Sequence, residues 1–253
     1  MANYLTSFNT YAEYQAATNL DLPNVSLILA DGSVYYKNLF AGASLGDILM
    51  WDNVNSKLVT TYGGAWDTTT YPISQYEPIA INIYPASQAS DGKSRYMSLK
   101  WASNTSDTGS TANVSLVWGN NGDITSRDQT ALNGRENTDK ALALADGTTA
   151  NTQAAFAAFA AVNRFRTNGT SAGDWYLPSK GELSFYQYDT NYADINAKIQ
   201  AIKNVSSSIV SQVNTDMWCS TDYNSNAYYL NYLGGCTSIG KVNAYGVRGM
   251  IAL

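Results

Sequence analysis

Residues 216–253 read DMWCSTDYNSNAYYLNYLGGCTSIGKVNAYGVRGMIAL, and their patterning decides the fold class. AYYLNYL, CTSIG and AYGVRGMIAL carry the aromatic and aliphatic content of strands, with Gly234-Gly235 as the turn between the first two. Just upstream the spacing changes. Ile195, Ile199 and Ile202 recur at helical intervals. So does a run of Phe156, Phe159, Val162 and Phe165 among alanines, which Asn151 is placed to cap. Between them Ser179-Lys-Gly-Glu182 forms a capping box behind Pro178 and predicts one more helix. Strands come before all of these. The order strands, helices, strands predicts an α+β domain whose last strands rejoin the first.

Working toward the N-terminus, residues 119–150 are rich in Gly, Asn, Asp and Thr and show no period, so they read as a structured functional loop or a packing cover. VSLVW at 114–118 is a strand behind the polar loop 103–112. Ile79, Ile81 and Ile83 alternate with Ala80, Asn82 and Tyr84, which predicts a strand with one inward face. An Asp91-Gly92 turn leads from it into RYMSLKW, its partner. The Asp91-Gly-Lys-Ser94 run lacks the earlier glycine of a phosphate loop, so a hairpin turn is the reading. GDILMWDNVNSKLV at 46–59 predicts a hairpin turning near Asn53-Val54-Asn55. Residues 1–36 form a separate β segment, with NVSLILADGSVYYK folding back at Asp31-Gly32. A lone hairpin is marginal in water, so it must pack on the main body, residues 37–253, or on another chain.

Composition removes several functions. The chain has no histidine, which excludes Ser-His-Asp and Cys-His nucleophilic sites and imidazole metal ligation. A net charge of −5 without a basic stripe argues against nucleic acid. No apolar run reaches the roughly 20 residues a bilayer requires, and MANYLTSFNTYAEYQ has neither the basic nor the apolar region of a signal peptide. The expectation is folding in a cytoplasm, with Cys219 and Cys236 as reduced packing residues that a disulfide could join after release. Asp139, Asp146, Asp174 and Glu182 are scattered rather than paired for catalysis. No cofactor or metal is expected.

Carboxylate-only, lysine-based or metal-dependent chemistry stays open, but the make-up of the C-terminal stretch points to recognition. Positions 216–245 hold five Tyr, four Asn, three Ser and three Gly but only three charged side chains, the mixture of an antibody-like contact surface. The plain alternative is an ordinary Tyr-rich sheet with half-buried aromatics. Alternation along 226–232 sends one set of side chains outward, and Tyr228 and Tyr232 are assigned to it, with Leu230 fitting that register poorly. Trp175 and Trp218 read as core anchors, and Arg248 as a buried cation held by carbonyls or a carboxylate.

GDWYLPSKGEL at 173–183, a helix, MWCSTDYNSNAYYLNY at 217–232 and the terminal YGVRGMIAL occur in an order that resembles the C-type-lectin-fold variable proteins of diversity-generating retroelements, of gut-phage or gut-bacterial type. The likeness covers roughly residues 120–253. The front part, with SFNTYAEYQAA, LPNVSLI and GDILMWD, is similar to N-terminal regions of related proteins. The resemblance implies a C-type-lectin-like fold with a short N-terminal β segment, and a hypervariable surface at about 216–245 spread by adenine-directed mutagenesis. It implies ligand contacts at Tyr223, Asn224, Asn226, Tyr228 and Asn231, and at Tyr232, Ser238, Lys241, Asn243 and Tyr245. The function implied is a phage receptor-binding protein, tail-associated in the virion, that recognises a bacterial surface protein or glycan. A bacterial cell-surface adhesin of the same family is the alternative. The N-terminal segment would then serve attachment or homo-oligomer assembly. Calcium-dependent sugar binding is not implied, because the chain has only Glu77-Pro78-Ile79 and no Trp-Asn-Asp. Formylglycine-generating enzymes share the broader fold and use paired cysteines, so Cys219 and Cys236 raise that enzyme as a remote competitor.

Overall fold

The structure is a computed structural model that describes residues 24–28, 34–38, 40, 42–61, 66–119, 124–144, 156–187, 189–208, 210 and 216–253. Strands β1 (Asn24–Ile28) and β2 (Val34–Asn38) pair antiparallel, with Asn24 opposite Asn38, as the N-terminal hairpin reading expects. The Asp31-Gly32 turn itself lies outside the described residues.

The first five-stranded sheet is built from β3 (Ile48–Asp52), β4 (Lys57–Thr60), β5 (Tyr76–Tyr84), β6 (Arg95–Ser98) and β12 (Met250–Ala252), in the order β12-β6-β5-β3-β4. The second contains β7 (Ser115–Val117), β8 (Met217–Tyr223), β9 (Asn226–Leu230), β10 (Cys236–Gly240) and β11 (Ala244–Gly246), ordered β10-β9-β8-β11-β7. Helices α1 (Gly134–Ala143), α2 (Ala157–Arg164) and α3 (Asp189–Val205) complete a mixed α+β architecture. Strand β12 lies beside β6 and β11 beside β7, so strands that follow the helices pair with strands that precede them.

Two apolar clusters sandwich the sheets. One gathers Ile48, Ile81, Ile83, Met97, Met217 and Leu230 with Ile195, Ile199 and Ile202 of α3. The other gathers Leu49, Tyr96, Leu116 and Trp218 with Phe159 and Val162 of α2. This corrects the reading of β5. Alternation suggested one inward face, but Ile79 through Ile83 are all buried, because a central strand between two covered faces has no solvent side.

Two more readings are corrected here. Within 119–150, where no period was visible, α1 forms; its buried residues are Gly134, Asn137, Thr138 and Ala141 rather than large apolar ones. It sits so close to Glu182 that a Cβ at Gly134 would collide with the carboxylate. The capping box of Ser179 and Glu182 is present, with Ser179 N–H donating to Glu182 Oε2 at 2.8 Å and Glu182 N–H to Ser179 Oγ at 3.2 Å. Among the described residues no α-helix starts at it. Residues 180–186 run as successive turns, with Ser184 N–H bonding to the Gly181 carbonyl and Tyr186 N–H to that of Leu183. Asn151 lies outside the described residues, and α2 begins behind Phe156.

The expected anchors are in place. Trp175 and Trp218 are fully buried. Arg248 is buried, donates to the Ser98 carbonyl at 2.6 Å and lies 4.3 Å from the Trp101 ring. Burial pushes its guanidinium down to about 10. Among the described residues, no helix is long and apolar enough to cross a membrane.

Candidate binding surface

The topology divides the Tyr/Asn-rich stretch between two ends of the second sheet. At one end lie the β8–β9 turn (224–225) and the β10–β11 turn (241–243), brought together by the Lys241 N–H bonding to the Ser225 carbonyl. At the other lies the β9–β10 loop (231–235), tied by the Tyr232 N–H to Asp216 Oδ1 at 2.8 Å. Of the ten expected contact residues, Tyr223, Asn224 and Asn243 are exposed at the first end and Tyr232 at the second. Asn226, Asn231, Ser238 and Tyr245 are half-buried.

Tyr228 and Lys241 require correction. Tyr228 was assigned outward but faces the apolar cluster with Leu230, at 8% exposure, because both faces of the sheet are covered. Leu230, the awkward member of that register, was the clue. Lys241 is completely buried and pairs with Asp222, itself completely buried, at 2.7 Å. Its ammonium also lies 4.6 Å from the Trp118 ring. Asp222 Oδ2 accepts from the backbone N–H groups of Ile124 and Thr125 at 2.8 and 3.3 Å. Lys241 therefore ties the two turns to the loop that precedes α1 and is a strut of the scaffold.

The first end carries an ordered aromatic and cationic cluster. The Tyr223 and Tyr228 rings are 5.5 Å apart, and Lys180 Nζ lies 4.3 Å from the Tyr228 centroid. Lys180 Nζ donates to Gln129 Oε1 at 2.6 Å, and its backbone N–H to Thr221 Oγ1 at 2.8 Å. Burial, then the neighbouring Tyr223, raises the Tyr228 phenol against the opposing hydrogen bond from Gln129. Exposed Val242 stands beside Asn243, whose side chain donates back to the Gly240 carbonyl at 2.8 Å. Sequence reasoning missed Lys180, Gln129 and Val242. Lys180 was absorbed into the capping box, and only the fold brings residue 129 beside it; Val242, an apolar residue in a Gly/Asn-rich turn, was the one available signal.

On the face opposite Tyr228, the Tyr229 and Tyr245 rings stack at 4.5 Å and 16°, with Trp218 edge-on beneath both. The support under the exposed tips is rigid. Trp218 Nε1 donates to the Leu116 carbonyl at 2.8 Å and Trp118 Nε1 to that of Cys219 at 2.6 Å.

Asn224 has a conformational reason for its identity. Its φ of +58° places it in the left-handed region, as a hairpin turn between Tyr223 and its partner Asn226 requires. Asn224→Gly will leave stability nearly unchanged, while Asn224→Val will cost about 1–2 kcal/mol, read as the shift in the urea midpoint. Equal stabilities would show that the turn tolerates any side chain.

Cys219 and Cys236 are free thiols with their sulfurs 3.9 Å apart, Cys219 buried and Cys236 half-buried. Burial, then the neighbouring Cys236, pushes the Cys219 thiol well up, which leaves it a weak nucleophile.

No protein-family model matches the chain, and no curated protein matches it.

Proposed function

We propose that the protein is a non-enzymatic binding protein whose contact surface is the end of the second sheet bearing Tyr223, Asn226, Val242 and Asn243, flanked by Lys180 and the rim of Tyr228. One observation carries the proposal: exposed aromatic, amide and aliphatic tips stand on turns whose bases are locked by the Lys241–Asp222 pair and the buried Trp118 and Trp218. Such preorganisation limits the ordering cost of binding. Tyr supplies large rigid area and Asn adaptable hydrogen bonds.

The resemblance to variable proteins of diversity-generating retroelements gives this surface a role. In that reading the fold is C-type-lectin-like, the tips are the diversified positions, and the ligand is a bacterial surface protein or glycan. The protein would act as a virion receptor-binding protein, or as a cell-surface adhesin of the same family, with residues 1–36 attaching or oligomerising it. A near-copy of the 3′ coding end differing at adenines, beside a reverse transcriptase gene, would support the family assignment.

The test is retention of fluorescently labelled protein on a panel of intact gut-bacterial cells. On any strain that retains the native protein, Tyr223→Ala with Val242→Ser will weaken retention about thirtyfold, the scale of losing one contact hot spot of about 2 kcal/mol. Tyr232→Ala, at the opposite end of the sheet, will leave it unchanged. Failure of the native protein to be retained on every strain, or equal losses from both variants, would overturn the assignment.

A further inference from the structure

Beyond its role as a binding surface, the second sheet carries a modification site: we propose that Cys219 and Cys236 form a dithiol that low-molecular-weight disulfides, such as oxidised glutathione, convert to an intramolecular disulfide stapling β8 to β10 across β9. The two sulfurs are already in contact at 3.9 Å, although they belong to strands separated by β9 in the sheet. They meet because β8 is irregular between Trp218 and Asp222, which carries Cys219 off the regular ladder. Bond formation needs the sulfurs to close to about 2.04 Å. The movement falls on Cys236. It opens β10, which pairs only with β9 among the described strands, and it follows Gly234-Gly235. Cys219 is the fixed partner, its carbonyl held by Trp118 Nε1 and its side chain buried.

Exposure sets the order of the two steps. Cys236, the half-buried thiol, loses its proton to solvent, and its thiolate attacks one sulfur of the reagent. The reagent's S–S bond breaks and releases one small thiolate, which takes up a proton. Cys219 then loses its proton and attacks Cys236 Sγ, expelling the second small thiolate. Two protein thiols are oxidised by two electrons and one disulfide is reduced to two thiols, so the balance closes. The burial that raises the Cys219 thiol makes the second step the slow one, with the nearby Lys180 charge acting in the opposite sense. The bond closes a loop of 17 residues through the whole β8–β10 meander, holding the Tyr223 end and the Tyr232 end in one fixed frame.

The experiment uses the full chain equilibrated with oxidised glutathione, alkylated, and read by intact mass and peptide mapping. The expected product has lost two hydrogens, carries no glutathione and yields a linked Cys219–Cys236 peptide. Its Tm will exceed that of the reduced protein by roughly 5–10 °C, the scale for a loop of this size in a chain of this length. Cys219→Ser will instead retain one glutathione on Cys236, because nothing remains to resolve the adduct. Two persistent thiols in the native protein, a native adduct that never resolves, or a disulfide between chains would overturn the proposal. An unmodified Cys219→Ser protein that is folded by circular dichroism would overturn the order of attack. Should that variant not fold, the linked peptide of the native chain decides alone.

Discussion

Glu182→Ala will be among the most damaging single substitutions in the protein, costing about 3–5 kcal/mol, the range for removing one member of a buried ion pair. Glu182 is 1% exposed, and its Oε1 accepts from Arg95 Nε at 3.0 Å and from the Tyr176 hydroxyl at 2.9 Å. Its Oε2 accepts the Ser179 N–H, so one carboxylate joins the first sheet to the 179–187 turns. Arg95 is 2% exposed and shares its charge between Glu182 and Asp91. Burial disfavours the guanidinium charge, but its hydrogen bonds to Asp91 and the electrostatic influence of Tyr176 and Glu182 outweigh it and hold its pKa above the usual value. Truncation leaves that cation with Asp91 as its carboxylate partner and the Lys93 carbonyl as a neutral acceptor, and strips the Tyr176 hydroxyl of its acceptor. Glu182→Gln will cost less, because its amide oxygen still accepts from one of the two donors, the Tyr176 hydroxyl or the Ser179 N–H, and the side-chain shape is kept. Both are read as shifts in the denaturation midpoint, and a cost for Glu182→Ala near that of a surface substitution would show that water already reaches the pair.

Asp222→Ala will cost a similar amount, about 3–5 kcal/mol, and more than Lys241→Met. The asymmetry follows from what each removal leaves behind. Without Asp222, the buried Lys241 ammonium loses its carboxylate, and the Ile124 and Thr125 N–H groups lose their acceptor. Without Lys241, Asp222 still accepts both backbone donors, and methionine fills the space beside Trp118. Denaturant titrations of the two variants measure the order. Lys241→Met as the worse of the two would mean that the ammonium, rather than the carboxylate, organises the 124–126 loop. Either variant will loosen the turns at 224–225 and 241–243, so the proposed contact surface should lose its ligand in proportion to stability. A true contact role for Lys241 would instead weaken binding with no stability cost.

Local patterning made much of the fold legible. The hairpin about Asn53–Asn55 and the strand pair β5–β6 around Asp91-Gly92 are short-range events whose turn residues and alternation sit within a few positions of one another. The isoleucine stripe of α3 and the phenylalanine run of α2 announce themselves by period. Helix α1 was invisible for a physical reason: its buried side is Gly134, Asn137, Thr138 and Ala141, small and polar groups that carry no hydrophobic period. The capping box misled because its hydrogen bonds are real but local. They cannot specify that the next turn will continue as an α-helix.

The candidate surface divides along the same line. Composition alone marked 216–245 as Tyr- and Asn-rich strands and turns, and the strand and turn signals beside them made Trp218 a core anchor and Arg248 a buried cation. Both kinds of signal are intrinsic to neighbouring side chains and need no knowledge of what packs against them. Burial is different, because it depends on the other layer. Only the tertiary structure decided that both faces of the second sheet are covered, so that Tyr228 turns inward beside Lys180 and Lys241 disappears against Asp222. It alone placed Tyr223 and Tyr232 at opposite ends of the sheet, since strand order and register are long-range choices that a contiguous stretch of residues cannot encode by itself.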